Sequence, residues 1–269
     1  MGGEMALAEA AVPSFDMGRV VTRTFSVIGH NVAAFGLLSL VVAIPLIVVN
    51  LGMSGFSAGL FRGGQFNLYS DGFFVITQVI YFLSLSVMQA AIVHATVLYL
   101  NGRKPRPMDS LFIGLAALLQ LILITLLVLL GLTVGLVLLV IPGLILMVMW
   151  SVAVPACIVD RTGVTGSLSR SRELTRGHRW AIFGLYVAFM ILIIVISVSL
   201  AALVGSVAIP ISPEDKAAVY NPSFAQAAYA VITAIISSVI GSALTASIYY
   251  ELRVLKDGIG PEALASVFD

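Results

Sequence analysis

Five stretches of the chain contain no Asp, Glu, Lys or Arg: Thr24 to Phe61, Gly72 to Gly102, Ser110 to Val159, Trp180 to Pro213 and Ala217 to Tyr250. Charge is excluded over such lengths when the surrounding solvent is hydrocarbon. A helix rises ~1.5 Å per residue and a bilayer core is ~30 Å thick, so ~20 apolar residues cross it. Each of the four shorter runs can supply one crossing. The run from Ser110 holds 50 residues, about 75 Å as a straight helix, so it must fold back and cross twice. The expected fold is therefore all-α: a polytopic membrane bundle of six transmembrane helices.

Composition agrees. Hydrophobic residues make up 60% of the chain and charged residues 10%, against roughly 25% charged in soluble domains. Six spans in 269 residues leave little chain for a soluble module. The single cysteine, Cys157, excludes an intrachain disulfide and any Cys-based metal motif. The N-terminus lacks the basic region and apolar core of a cleaved signal, so the first span is expected to act as an uncleaved one.

Loops marked alternately from an inside N-terminus place twelve cations inside, among them Arg19, Arg23, Arg103, Lys104, Arg106, Arg253 and Lys256, and two outside, Arg62 and Lys216. The positive-inside rule then predicts a multi-pass protein of the cell inner membrane with both termini cytoplasmic. Residues 1–13 read as disordered. A membrane domain covers 14–258, with spans at about 31–51, 73–100, 110–133, 142–159, 179–209 and 223–256. A short tail, 259–269, follows.

Two inner-surface amphipathic helices are expected. Ser14 to Gly29 offers Asp16 as a cap, an apolar face, and Arg19 and Arg23 toward lipid phosphates. The second is Asp160 to His178. Asp109 or Ser110 can cap the third span, and Pro142-Gly143 is either the hairpin turn or the start of the fourth. Gly29-His30-Asn31-Val32-Ala33-Ala34-Phe35-Gly36-Leu37 matches Gly177 to Leu185 at six of nine positions. A parallel repeat of spans 1–2 and 5–6 would explain it, with spans 3–4 as an inserted hairpin; so would generic helix-start chemistry.

No catalytic, cofactor-binding or metal-ligating constellation is found. Gly55-Phe56-Ser57-Ala58-Gly59 fits a serine-hydrolase elbow, but His30, His94 and His178 sit at or near the opposite side. A flexible glycine loop accounts for it better. The histidines have no metal spacing. His94, Gln78, Gln89 and Gln120 read as intramembrane polar contacts between helices. Gly131-Leu132-Thr133-Val134-Gly135 permits close helix contact or forms the turn itself. No carboxylate falls at mid-depth, which lowers ion-coupled transport and metal enzymes alike.

Arg161, Arg170, Arg172, Arg176 and Arg179 form the strongest local signal. They can anchor topology alone, or make a patch for phosphate or lipid headgroups, since guanidinium grips phosphate bidentately. Glu251 leaves a long apolar helix and needs an ion pair; Arg170, Arg172, Arg176 and Arg179 are the expected partners.

Ile141-Pro142-Gly143, the segment Ser169 to Trp180 and Tyr249-Tyr250-Glu251-Leu252-Arg253 resemble the glycerophosphoryl diester phosphodiesterase membrane-domain family and related bacterial six-span membrane proteins. The resemblance covers roughly Phe15 to Gly258. It implies a six-helix bundle in a bacterial cytoplasmic membrane. In some members the domain precedes a soluble phosphodiesterase barrel, and no catalytic residue carries over here. The functional expectation is a non-enzymatic scaffold or lipid-interacting module with a basic cytoplasmic surface. Its partners would be anionic headgroups and a membrane or cytosolic protein, with neither cofactor nor nucleic acid. The alternatives are a translocation factor for a lipid or amphiphile and, more weakly, a membrane-embedded enzyme.

Overall fold

In the structure, a computed structural model, residues 15–40, 43–45, 47, 68–138, 140–204 and 224–258 are described. Among them there are helices and turns and no strand. The expected disorder at 1–13, the Gly55–Gly59 pattern, the loop between spans five and six, and the 259–269 tail lie outside these residues.

Helix α1 (Met17–His30) starts at Asp16, whose side chain accepts from the Arg19 backbone N–H at 3.1 Å. Its buried residues Val20, Thr24 and Val27 recur at helical spacing, while Met17, Val21 and Phe25 are exposed. The chain then turns by 74° into the helical run Val32–Pro45. Helix α2 (Leu68–Leu100) begins before the expected Phe73 and ends in a Schellman motif: Arg103 N–H reaches Leu98 O at 3.0 Å and Gly102 N–H reaches Tyr99 O at 2.9 Å. Gly102 takes φ +73° there, a backbone state that suits glycine.

Pro107 opens α3 (Pro107–Ala116), with Arg106 at the cap position and no side-chain cap bond. Asp109 lies in its first turn, and Ser110 is buried rather than capping. After an offset at Ala117 the chain continues as α4 (Leu118–Leu138), past the expected end near Thr133. Helix α5 (Val140–Met149) returns against it. Pro142 therefore sits in the first turn of α5, where its missing N–H costs no hydrogen bond. Gly131 and Gly135 belong to the helix contact: a Cβ at Gly135 would lie 3.0 Å from Gly143 Cα, and one at Gly131 would strike the Trp150 ring.

The apolar segment Val140–Asp160 breaks at Trp150–Val152 and resumes as α6 (Ala153–Asp160). Pro155 accounts for this, since it offers no N–H to the carbonyl four residues back. Helix α7 (Gly163–Thr175) repairs part of the gap. Ser171 Oγ donates to the Met149 carbonyl at 2.8 Å. The buried face of α7 is Ser167, Ser171, Leu174 and Thr175, so small hydroxyls dock it rather than the apolar stripe expected of an amphipathic surface helix.

Helices α8 (Arg179–Val204) and α9 (Phe224–Asp257) complete the bundle. Five helical segments are long and apolar enough to cross a bilayer: Gln78–Leu100, Leu118–Val137, Val140–Asp160, Arg179–Leu203 and Ala228–Asp257. Half of the α2 window is buried, against 11% of the α8 window. The centre is thus α2, α6 and α9, packed through Ala90, Val93, Val97, Ala156, Ala246 and Tyr249. Helices α4 and α8 turn Leu119, Leu130, Ile194 and Val198 outward, as a lipid-facing surface requires.

Candidate functional site

Helix α1, the end of α2, α6, α7, the start of α8 and the end of α9 meet at one end of the bundle, and most of the charge collects there. The geometry divides that charge into two internal networks and a free remainder.

The first network joins α6, α7 and α9. Arg170 Nε lies 3.4 Å from Asp160 Oδ2 and its Nη1 3.4 Å from Glu173; its other nitrogen pairs with Asp257. Arg253 reaches Asp160 at 3.8 Å and Asp257 at 3.6 Å, and Tyr249 donates to Asp160 at 2.7 Å. Burial alone would ease the proton off Arg170, but the carboxylates of Asp257, Asp160 and Glu173 more than offset this and hold it firmly cationic. Arg170 is therefore committed inside the protein.

The second network corrects the expectation for Glu251. Its side chain is fully buried and pairs with Arg23, while Oε1 lies 3.4 Å from Arg19 Nη1 without hydrogen-bond alignment. Arg23 also sits over the Tyr250 ring, 5.2 Å from its centroid. The partners come from α1, not from Arg170, Arg172, Arg176 or Arg179. The reason is placement: α1 lies along α9, whereas α7 turns Arg170 toward Asp160 and Asp257.

Four of the five singled-out arginines stay outside both networks. Arg161, Arg172 and Arg176 are exposed, with no acid in ion-pair range among the described residues. Arg161 has φ +53°, a left-handed end to α6. Arg179 is half-buried, and its Nε has no partner among the described residues. Trp180, next in the chain to Arg179, is 87% exposed and edge-on to Phe183. Among the described residues no three of His, Cys, Asp and Glu gather as a metal site.

The intramembrane polar residues divide too. His94 Nδ1 is 3.1 Å from Ser110 Oγ, tying α2 to α3. Gln120 accepts from the Cys157 thiol at 3.4 Å, tying α4 to α6. Gln78 is exposed, with no partner among the described residues. Gln89 lines an open chamber of about 520 Å³ between α2, α4, α8 and α9, together with Ser86, Thr125, Tyr186, Ser238 and Thr245. Sequence reading missed this chamber. Its signal was the run of Ser, Thr and Gly from Ser237 to Thr245 in an otherwise apolar helix.

A family model described as a domain of unknown function, DUF7847, matches residues 87–252, more than half of the chain. The match takes in α3 to α8 and parts of the two helices that flank them. No curated protein and no solved structure matches the chain.

Proposed function

The chain belongs to that domain family, and we propose that it is a non-enzymatic, multi-pass protein of a bacterial inner membrane that engages anionic lipid headgroups through its arginine-bearing end. The observation that carries this is the free remainder: Arg161, Arg172 and Arg176 are exposed, without acidic partners among the described residues, and Trp180 at the start of α8 is exposed too, while Arg170 and Arg253 are consumed internally. Tryptophan favours the headgroup layer, and each cation near an anionic surface contributes ~1 kcal/mol within a Debye length. Six spans, with Val32–Pro45 opening the first, would put both termini on this side, in keeping with the loop-cation asymmetry. The parallel repeat and the kinship with glycerophosphoryl diester phosphodiesterase membrane domains belong to the same proposal.

The test is lipid retention. Protein purified in neutral detergent is incubated with equimolar phosphatidylglycerol and phosphatidylcholine, and the retained lipid is quantified by mass spectrometry. Wild type should prefer the anionic lipid. The triple variant Arg161→Gln, Arg172→Gln, Arg176→Gln should lose that preference with an unchanged melting temperature. An unchanged preference rejects the reading. A second reading, translocation of a lipid or amphiphile, is favoured by the chamber of about 520 Å³; directional transfer of a labelled lipid in proteoliposomes would establish it.

A further inference from the structure

We propose that the chamber between α2, α4, α8 and α9 is a binding site for a neutral amphiphile, one with a hydroxyl- or amide-bearing head on a slender apolar chain. The argument begins with its cost. Polar side chains at the middle of membrane helices are unfavourable unless satisfied, yet Ser86, Gln89, Thr125, Tyr186, Ser238 and Thr245 share one space.

The hydrogen bonds show how that space is tolerated and what it offers. Ser86 donates to the Phe82 carbonyl, Thr125 to Leu121 and Thr245 to Gly241, each at 2.8 Å. Each donor is thereby satisfied within its own helix. With the Thr245 hydrogen committed, the Tyr186 hydroxyl, 3.2 Å away, is the donor of that pair. These groups leave acceptor lone pairs open, while the hydroxyls of Tyr81, Ser237, Ser238 and Ser242 in the same lining have no hydrogen-bond partner among the described residues. The wall can therefore accept and donate, and its complement is a head that does both. Gln89 adds an amide able to donate and accept, so it can meet a carbonyl or ether oxygen next to the donating group.

Charge narrows the class. The lining contains no Asp, Glu, Lys, Arg or His among the described residues. A phosphate or carboxylate there would be desolvated without a counter-ion, so the ligand is neutral. Shape narrows it further. The apolar part of the wall is Phe82, Leu85, Phe189 and Ala234, with the ring of Tyr81, suited to a hydrocarbon chain. A Cβ at Gly241 would come within 3.2 Å of the Phe189 ring, so that glycine gives Phe189 its place in the wall. A volume of about 520 Å³ falls in the range of small-ligand pockets and fits a head with part of one chain rather than a whole two-chain phospholipid. The site is separate from the basic end, and its failure leaves the headgroup reading standing.

The experiment uses the full chain in nanodiscs and a monoacylglycerol carrying a diazirine on its acyl chain. After irradiation, peptide mapping should place the label on segments containing Gln89 or Ser238, and excess unlabelled monoacylglycerol should reduce it at least tenfold. Ser238→Trp, which fills the chamber, should cut labelling about tenfold. Gln89→Leu, which keeps the volume and removes the amide, should cut it about threefold. Melting temperatures should match wild type; if Ser238→Trp does not fold, Gln89→Leu and the competition decide. The diazirine fatty acid, charged at neutral pH, should label the same peptides weakly. Labelling spread along the outer faces of α4 and α8, labelling that resists competition, or equal labelling by the fatty acid would each overturn the proposal.

Discussion

At Glu251 the two partners of one ion pair are not equivalent. The carboxylate is fully buried, whereas the side chains of Arg19 and Arg23 are 43% and 25% exposed. Removing both cations strands a buried charge, which costs about 3–5 kcal/mol. Glu251→Gln leaves two arginines that can turn toward water or headgroups, at about 1–3 kcal/mol. Arg19→Gln with Arg23→Gln should therefore melt well below Glu251→Gln in detergent, and adding Glu251→Gln to that pair should recover stability; strictly additive losses would refute the coupling. That this carboxylate needs a cation was legible in the sequence. Which cation was not, because the choice depends on how α1 and α7 dock against α9, and no local pattern ranks two arginine clusters so far along the chain. His178, stacked on Phe15 with ring centroids 5.6 Å apart, supplies the pH dependence. Burial and then the nearby charge of Lys256 lower its proton affinity below the ordinary histidine value. The unfolded chain then binds the proton more readily, so this contribution is complete above about pH 6.5 and is lost as pH falls from there toward the folded value. Wild type should lose more melting temperature between about pH 7 and pH 5 than His178→Gln does; equal losses would remove His178 from the account.

The α4–α5 hairpin shows what an element can lose when charge is absent. Nothing in Ser110–Val159 marks the turn by polarity, so Pro142-Gly143 and the Gly131–Gly135 pattern each fitted a turn or a helix. Packing decides: the glycines are where two helix backbones approach, and the proline sits in a first turn that needs no N–H. Gly135→Ala should consequently destabilise the fold by about 1–3 kcal/mol, because the new methyl meets Gly143 backbone at 3.0 Å. Gly184→Ala is the control, since a Cβ there has nothing within 4 Å, and its melting temperature should equal or exceed wild type. Equal losses at both positions would mean that helix propensity, not close approach, governs them. The break at Trp150–Val152 was legible in principle, because Pro155 removes the N–H owed to Ser151. Its consequence was not: the Ser171 hydroxyl that satisfies the buried Met149 carbonyl comes from another helix.

For the whole molecule, the exclusion of charge from five runs carried the fold class, because hydrocarbon acts on every residue of a span in the same way. The functional surface was harder to see. Ten of the twelve cations assigned to the inner side are arginines, alike in the sequence, and only the acids that fold next to some of them separate structural from free charge. The structure brings the Tyr99–Arg103 turn, α7 and the end of α9 to the same end of the bundle, and this makes a sharp topological prediction. In a Cys157→Ala background, where the buried native thiol is gone, single cysteines at Lys104, Arg172 and Lys256 should all react with a membrane-impermeant maleimide from one side only. That side should be accessible in inverted vesicles and protected in intact cells, and a cysteine at Arg62 should show the reverse. Labelling of positions 104 and 172 from opposite sides would break the bundle itself. Labelling of all three from outside would leave the fold intact and put the free arginines on the wrong leaflet for the lipid role proposed for them.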